Sequence, residues 1–178
     1  MEKLVLLPLS LTLSISIAFA QPIVKIWNSE DSLATLHQIS QYLDYLDVRE
    51  DIYVHVSFSE KMPDNLEGIT FVKKTLPNEK YPFDKVIKVK IKAHMSNRKQ
   101  RLVLAHEMIH VKQYAKGEIR VIDQHHVIWK ERTYSNLRPT DRRYTPWEHE
   151  AYRNDVQLAK ARMEQPQVSP VASYTGIR

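Results

Sequence analysis

The residues best able to do chemistry in this 178-residue chain stand in one short segment, Leu104-Ala105-His106-Glu107-Met108-Ile109-His110. The pattern is His-Glu-x-x-His. On an α-helix, residues four apart are neighbours, so both imidazoles can reach one metal ion while Glu107 sits one step round, beside a water on that ion. Cysteine is absent, so a metal must be held by imidazole nitrogen and carboxylate oxygen, a donor set that suits Zn²⁺. Zinc acidifies a bound water and polarises a carbonyl, and a neighbouring carboxylate takes and returns the proton, which is hydrolytic chemistry. Chance places such a pattern in a chain of this composition on the order of 2 times in 100, so the flanking sequence must carry weight too.

The flanks predict a helix. Ser96 can cap it, Leu102, Val103, Ala105, Ile109 and Tyr114 recur along it, no Pro or Gly interrupts, and Gly117 stops it after Lys116. A catalytic zinc needs a third protein ligand, and no His follows at the short spacing of the HExxHxxGxxH pattern. The ligand is therefore sought on a second helix, which opens on Thr145-Pro146-Trp147-Glu148. Thr at N-cap, Pro at N1 and Glu at N3 form a capping box, and the helix is expected to run to about Met163. Its first turns hold Glu148, His149 and Glu150. Either carboxylate can serve as the ligand, although Glu148 could simply complete the capping box and Glu150 could instead orient a metal-bound His. His149 reads as a surface residue. Asp155, two turns beyond Glu148, could reach back to the His helix, but a solvated Asp is the simpler reading.

These two segments resemble the minimal gluzincins, small bacterial zinc metallopeptidases with HExxH on one helix and a Glu ligand on a second. The likeness covers His106 to Gln113, Pro146 to Asp155 and a Trp129-Lys130 hairpin segment between them; the N-terminal third carries none. The resemblance implies one catalytic zinc held by His106, His110 and Glu148, with Glu107 as general base and a peptide or protein as substrate. Glu148 is indicated because the family's ligand Glu stands three residues before an Ala, here Ala151. Tyr152 stands where many relatives carry Asp, which keeps Glu150 in play. Gluzincins often use a His or Tyr to hydrogen-bond the oxyanion; His125, His126, Tyr134 and Tyr144 lie in the intervening region, and spacing singles out none of them. In zincins an edge strand that pairs with substrate precedes the motif helix, a place the Val86 to Ile91 segment occupies here. The implied fold is α+β and zincin-like: a small, mostly antiparallel or mixed sheet packed on the motif helix, with the Glu-bearing helix beside it.

The other elements follow from periodicity. Ile23 to Trp27 reads as a strand, and Asn28 and Ser29 offer caps for a helix with Leu33, Leu36, Ile39, Leu43 and Leu46 on its apolar face. Ile52, Val54, Val56 and Phe58 alternate as in a half-buried strand; Ile69 to Val72 follows the turn residues Pro63, Asp64, Asn65 and Gly68. Leu76 to Pro82 reads as loop. Val121 to Tyr134 is ambiguous, with Val127 and Trp129 suited to a strand or hairpin arm.

Residues 1–20 read as an export signal: an apolar run from Leu4 to Phe19, then Ala18-Phe19-Ala20 as the small-x-small cleavage pattern. One domain is expected over 21–165, and 166–178, poor in core residues, as a flexible tail. The location implied is periplasmic or secreted. The net charge of +5 is mild, and lysines alternating with apolar residues at 85–92 read as the wet face of a strand, so no nucleic-acid role is expected. No membrane association after signal removal and a monomeric state are expected as well. The expectation is thus an exported zinc-dependent metallopeptidase, with a non-peptidic zinc hydrolase or a non-catalytic exported binding module carrying an incidental motif as alternatives.

Overall fold

A computed structural model describes residues 22–29, 32–63, 66–73, 85–123, 125–135 and 144–161. The expected signal at 1–20, the loop from Leu76 to Pro82 and the tail at 166–178 lie outside the described residues. In chain order the elements are β1 (Ile23–Trp27), α1 (Ser32–Tyr45), β2 (Tyr53–Ser59), β3 (Gly68–Lys73), β4 (Val86–Lys92), α2 (Asn97–Ala115), β5 (Ile119–Val121), β6 (Val127–Trp129), β7 (Arg132–Tyr134) and α3 (Pro146–Lys160). The class is α+β.

The first four strands form one mixed sheet in the order β1-β2-β4-β3. β1 and β4 both pair parallel to β2, while β3 runs antiparallel to β4. Alternation puts Val54, Val56 and Phe58 of β2 and Ile87, Val89 and Ile91 of β4 on one face, where they are buried with Ile39, Tyr42 and Leu43 of α1 and Leu104, Met108 and Val111 of α2. Each such side chain taken out of water contributes about 1.5–3 kcal/mol. The place expected for β4 at the sheet edge is corrected by this order. β4 is paired on both sides, as its fully buried apolar residues require, and the edge beside α2 belongs to β3.

Two predicted apolar faces shift. Leu33 is 63% exposed, and α1 buries Thr35, Ile39, Tyr42 and Leu43 instead. On α2, Leu102 is 36% exposed while Leu104 and Met108 are fully buried, because the helix lies between the sheet and α3 and buries two faces rather than one. Its end is built as expected. Gly117 has φ +69, and the bonds Gly117 N–H to Tyr114 O at 3.2 Å and Glu118 N–H to Gln113 O at 2.8 Å make a Schellman closure. Lys85 Nζ donates to Ala115 O at 2.8 Å, placing a cation at the negative end of the helix.

The ambiguous segment is a three-stranded antiparallel meander, β5-β6-β7. Lys130 and Glu131 (φ 44 and 71) form its two-residue turn without glycine. Ile119 and Trp129 bury with Trp147, so the meander pins the start of α3 against the end of α2. Among the described residues, no helix is long and apolar enough to cross a membrane.

Candidate metal centre

α2 and α3 pack side by side. On α3, Glu148, Ala151, Asp155 and Leu158 recur every three or four residues and turn toward the neighbouring helix; Ala151 and Leu158 are fully buried and Asp155 nearly so. The small Ala151 lets the helices approach, and Glu148 then meets both histidines of α2. Its Oε2 lies 3.3 Å from His106 Nε2 and its Oε1 lies 3.4 Å from His110 Nε2. The two Nε2 atoms are 3.2 Å apart. One ligand atom from each of the three residues falls within 4.8 Å of the others, so His106, His110 and Glu148 could hold a metal ion.

The outward nitrogens show why these atoms suit a cation. Gln113 is fully buried; its Nε2 donates to Trp147 O and to Glu150 Oε2, both at 3.1 Å. Its Oε1 is thereby turned to His110 Nδ1 at 2.7 Å, and since that oxygen can only accept, Nδ1 carries the hydrogen. His106 Nδ1 likewise faces a pure acceptor, Asp155 Oδ2, at 3.3 Å. With both hydrogens on Nδ1, both Nε2 lone pairs point inward at each other and at a carboxylate. Such a set of facing acceptors calls for a positive charge between them. Two imidazoles and one carboxylate match the ligand number and types of catalytic zinc sites.

The electrostatics agree. Burial alone would lower the pKa of His110, but the Glu148 hydrogen bond and the Glu107 and Glu148 charges raise it from 6.5 to about 9. Burial would raise the pKa of Glu148, but its bonds to His106 and His110 bring it from 4.5 down to about 2. In the metal-free chain a proton on His110 thus stands in for the cation. The stabilisation from His110 is fully present below its unfolded pKa near 6.5 and is lost as pH rises through about 9; that from Glu148 is present above about 4.5 and is lost as pH falls through about 2. A metal would have to displace the His110 proton, so the apparent affinity for a divalent metal ion is expected to rise about tenfold per pH unit between about 6.5 and 9. Competition titrations across that range check this, and a flat profile would contradict it.

Glu107 lies on the sheet side of the pair and is only 4% exposed. Burial pushes its carboxyl up, opposed by the charges of His110 and His106 and by the hydrogen bond from Thr70. Thr70 Oγ1 on β3 donates to Glu107 Oε2 at 2.6 Å. Gly68, on the same strand, leaves space that a side chain would take from Glu107: a Cβ there would lie 2.8 Å from both Glu107 Cγ and Cδ. Strand β3 therefore both makes room for Glu107 and holds it.

Several expectations need correction here. The capping box does not form: Thr145 is the N-cap but makes no side-chain cap bond, and Glu148 turns to the histidines. Glu150 lies outside the group that could hold a metal ion and turns to other partners. It is tied to Lys112 at 3.2 Å, to Gln113 at 3.1 Å and to Lys130 at 3.5 Å, and so acts on His110 only through Gln113. The reading of Asp155 as solvated is overturned by its burial and its contact with His106. His149 is exposed, as read. Of the residues considered for an oxyanion, His126 is bound to Asp123 at 2.9 Å, His125 N–H bonds the same carboxylate, Tyr134 packs edge-on against Trp147, and Tyr144 is 78% exposed. Among the described residues, none of the four bonds to His106, Glu107, His110 or Glu148.

The sequence reading passed over Gln113, Thr70 and Tyr152 as members of the site. Tyr152 places its ring 4.5 Å from that of His106. It stands four residues after Glu148, hence on the same helical face, a signal present in the spacing. Compared with known proteins, the chain matches no family model, no curated protein and no solved structure.

Proposed function

We propose that this chain is an exported, periplasmic or secreted, zinc-dependent metallopeptidase of the minimal gluzincin type, with a zincin-like fold and Glu107 as general base. The observation that carries this is the convergence of His106 Nε2, His110 Nε2 and the Glu148 carboxylate, with a buried Glu107 next to the first His on the helix. A zinc ion bound there would lower the pKa of a water and polarise a scissile carbonyl.

The chain's own groups supply the rest. Asp155 and Gln113 fix the imidazole rings so that their bare nitrogens stay inward. Thr70 holds one oxygen of Glu107, so the carboxylate enters the reaction already oriented. The raised pKa of Glu107 brings it closer to the working pH, which favours a group that must take a proton from water and return it to the leaving amine. β3, as the edge strand that holds Glu107, takes the place that β4 was expected to have beside an extended substrate.

Gly68→Ala tests the fit of Glu107. The new methyl must push the carboxylate aside, and a misplacement of about 1 Å costs about a hundredfold in turnover, with zinc content unchanged. Zinc loss in this variant, or full activity, would contradict the placement. The proposal as a whole is tested by hydrolysis of a mixed peptide library. The zinc-loaded chain is expected to cleave, a chelator to stop cleavage and added zinc to restore it; cleavage that survives removal of all metal would overturn the proposal.

A further inference from the structure

The mixed sheet has a second face. Opposite the core, the pairing register aligns Lys25, His55, Lys88 and Phe71 in one row across β1, β2, β4 and β3, and Trp27, Ser57, Lys90 and Ile69 in the next. Lys92 and Lys73 lie on the same face by the same alternation. Both α1 and α2 pack on the other side. Tyr53 and Val86 are buried at one end of this face, but Lys25, Lys73, Lys90 and Lys92 are exposed, and Trp27 on the edge strand is 56% exposed with Ile23 near it.

Every ionisable side chain except Tyr53 that β1–β4 place on this face is a lysine or histidine; the strands contribute no carboxylate to it. Lys25 and Lys88 share a row with His55 between them, two strand spacings or about 10 Å apart. Burial, then the Lys88 and Lys25 charges, lower the His55 pKa, which disfavours a third cation in the middle of the row. His55 Nε2 is buried without a hydrogen-bond partner among the described residues. An anionic partner over this face would supply the countercharge that the strands do not.

Shape and composition narrow the partner. The face is a single sheet surface about 15 Å across its four strands, broad rather than grooved. Its cations are lysines on flexible stems, and its exposed edge carries Trp27, a residue type that settles at a headgroup boundary, with the apolar Ile23 near it. Single-stranded nucleic acid would need open ring faces for stacking, whereas Trp27 and His55 pack against each other edge to face at 5.8 Å.

We propose that this face docks the protein peripherally on an anionic membrane surface, with Lys25, Lys88, Lys90 and Lys92 against lipid phosphates and Trp27 and Ile23 at the headgroup boundary. This departs from the expectation of no membrane association and is independent of the metal reading. The described fold lies within residues 22–161, so the chain from Gln21 onward, free of the apolar leader, is used. It is expected to sediment with vesicles of 30% phosphatidylglycerol in phosphatidylcholine, not with phosphatidylcholine alone, and to be released by 0.5 M salt.

Replacing Lys25, Lys88, Lys90 and Lys92 together by Gln is expected to lower partitioning by about fivefold per lysine, more than a hundredfold in all, with an unchanged thermal midpoint. A control of equal charge change, Lys61, Arg98, Arg120 and Arg132 to Gln, is expected to keep binding to within about tenfold. Equal losses in both variants would reduce the effect to net charge and overturn the proposal. So would equal binding to neutral vesicles, tighter binding to a single-stranded oligonucleotide than to the anionic vesicles, or a stable dimer that shields the four lysines from acetylation.

Discussion

Glu107→Gln is expected to lower peptide hydrolysis by about 10²- to 10⁴-fold while leaving zinc content and fold intact. The amide keeps the size of the carboxylate, and its oxygen can still accept the 2.6 Å hydrogen bond from Thr70. What it loses is the capacity to take up a proton. Glu107 is not among the three residues whose atoms converge, so metal should stay. Full turnover in this variant would remove Glu107 from the mechanism; loss of zinc would recast it as a ligand.

His110→Ala carries the second large effect. It removes a nitrogen that faces both His106 and Glu148, and it leaves Gln113, fully buried, with an unpaired acceptor. An unsatisfied buried polar group costs about 1–3 kcal/mol, so the apo fold should weaken as well. Zinc retention after dialysis is expected to fall from about one per chain to none, and His106→Ala to do the same. His110→Gln separates the two effects, since it can refill the space without restoring the imidazole: fold recovered without zinc is the expected result. Stoichiometric zinc in either His variant would contradict the assignment.

The motif helix and the Glu helix were legible because their signals are local. Ser96, Gly117, Thr145 and Pro146 bracket them in a few residues each, and helical spacing alone puts His106 beside His110. The order of the strands was not legible in this way. Val86, Ile87, Val89 and Ile91 read equally well as an edge or a central strand until β3 is seen to pair outside them, and such pairing is set by contacts between residues distant in sequence. The meander was obscured because Lys130-Glu131 makes its turn where Asn-Gly would have announced one. For Glu148 the resemblance indicated a ligand while its N3 place also suited a cap; the packing of α3 on α2 turns its carboxylate to the two histidines. Asp155 and Gln113 were hidden for the same reason, since polar residues on helices usually face water, and here the pairing of the two helices brings both to the outer nitrogens of the site.

We propose that the third ligand is Glu148 and that Glu150 belongs to the lysine and glutamine network. Zinc bound per chain after exhaustive dialysis, measured by elemental analysis on wild type, Glu148→Ala and Glu150→Ala, tests it most directly. About one zinc in wild type and in Glu150→Ala, with little or none in Glu148→Ala, is the predicted result. Zinc retained in Glu148→Ala and lost in Glu150→Ala, or absent from the wild-type chain at neutral pH with zinc in excess, would contradict it.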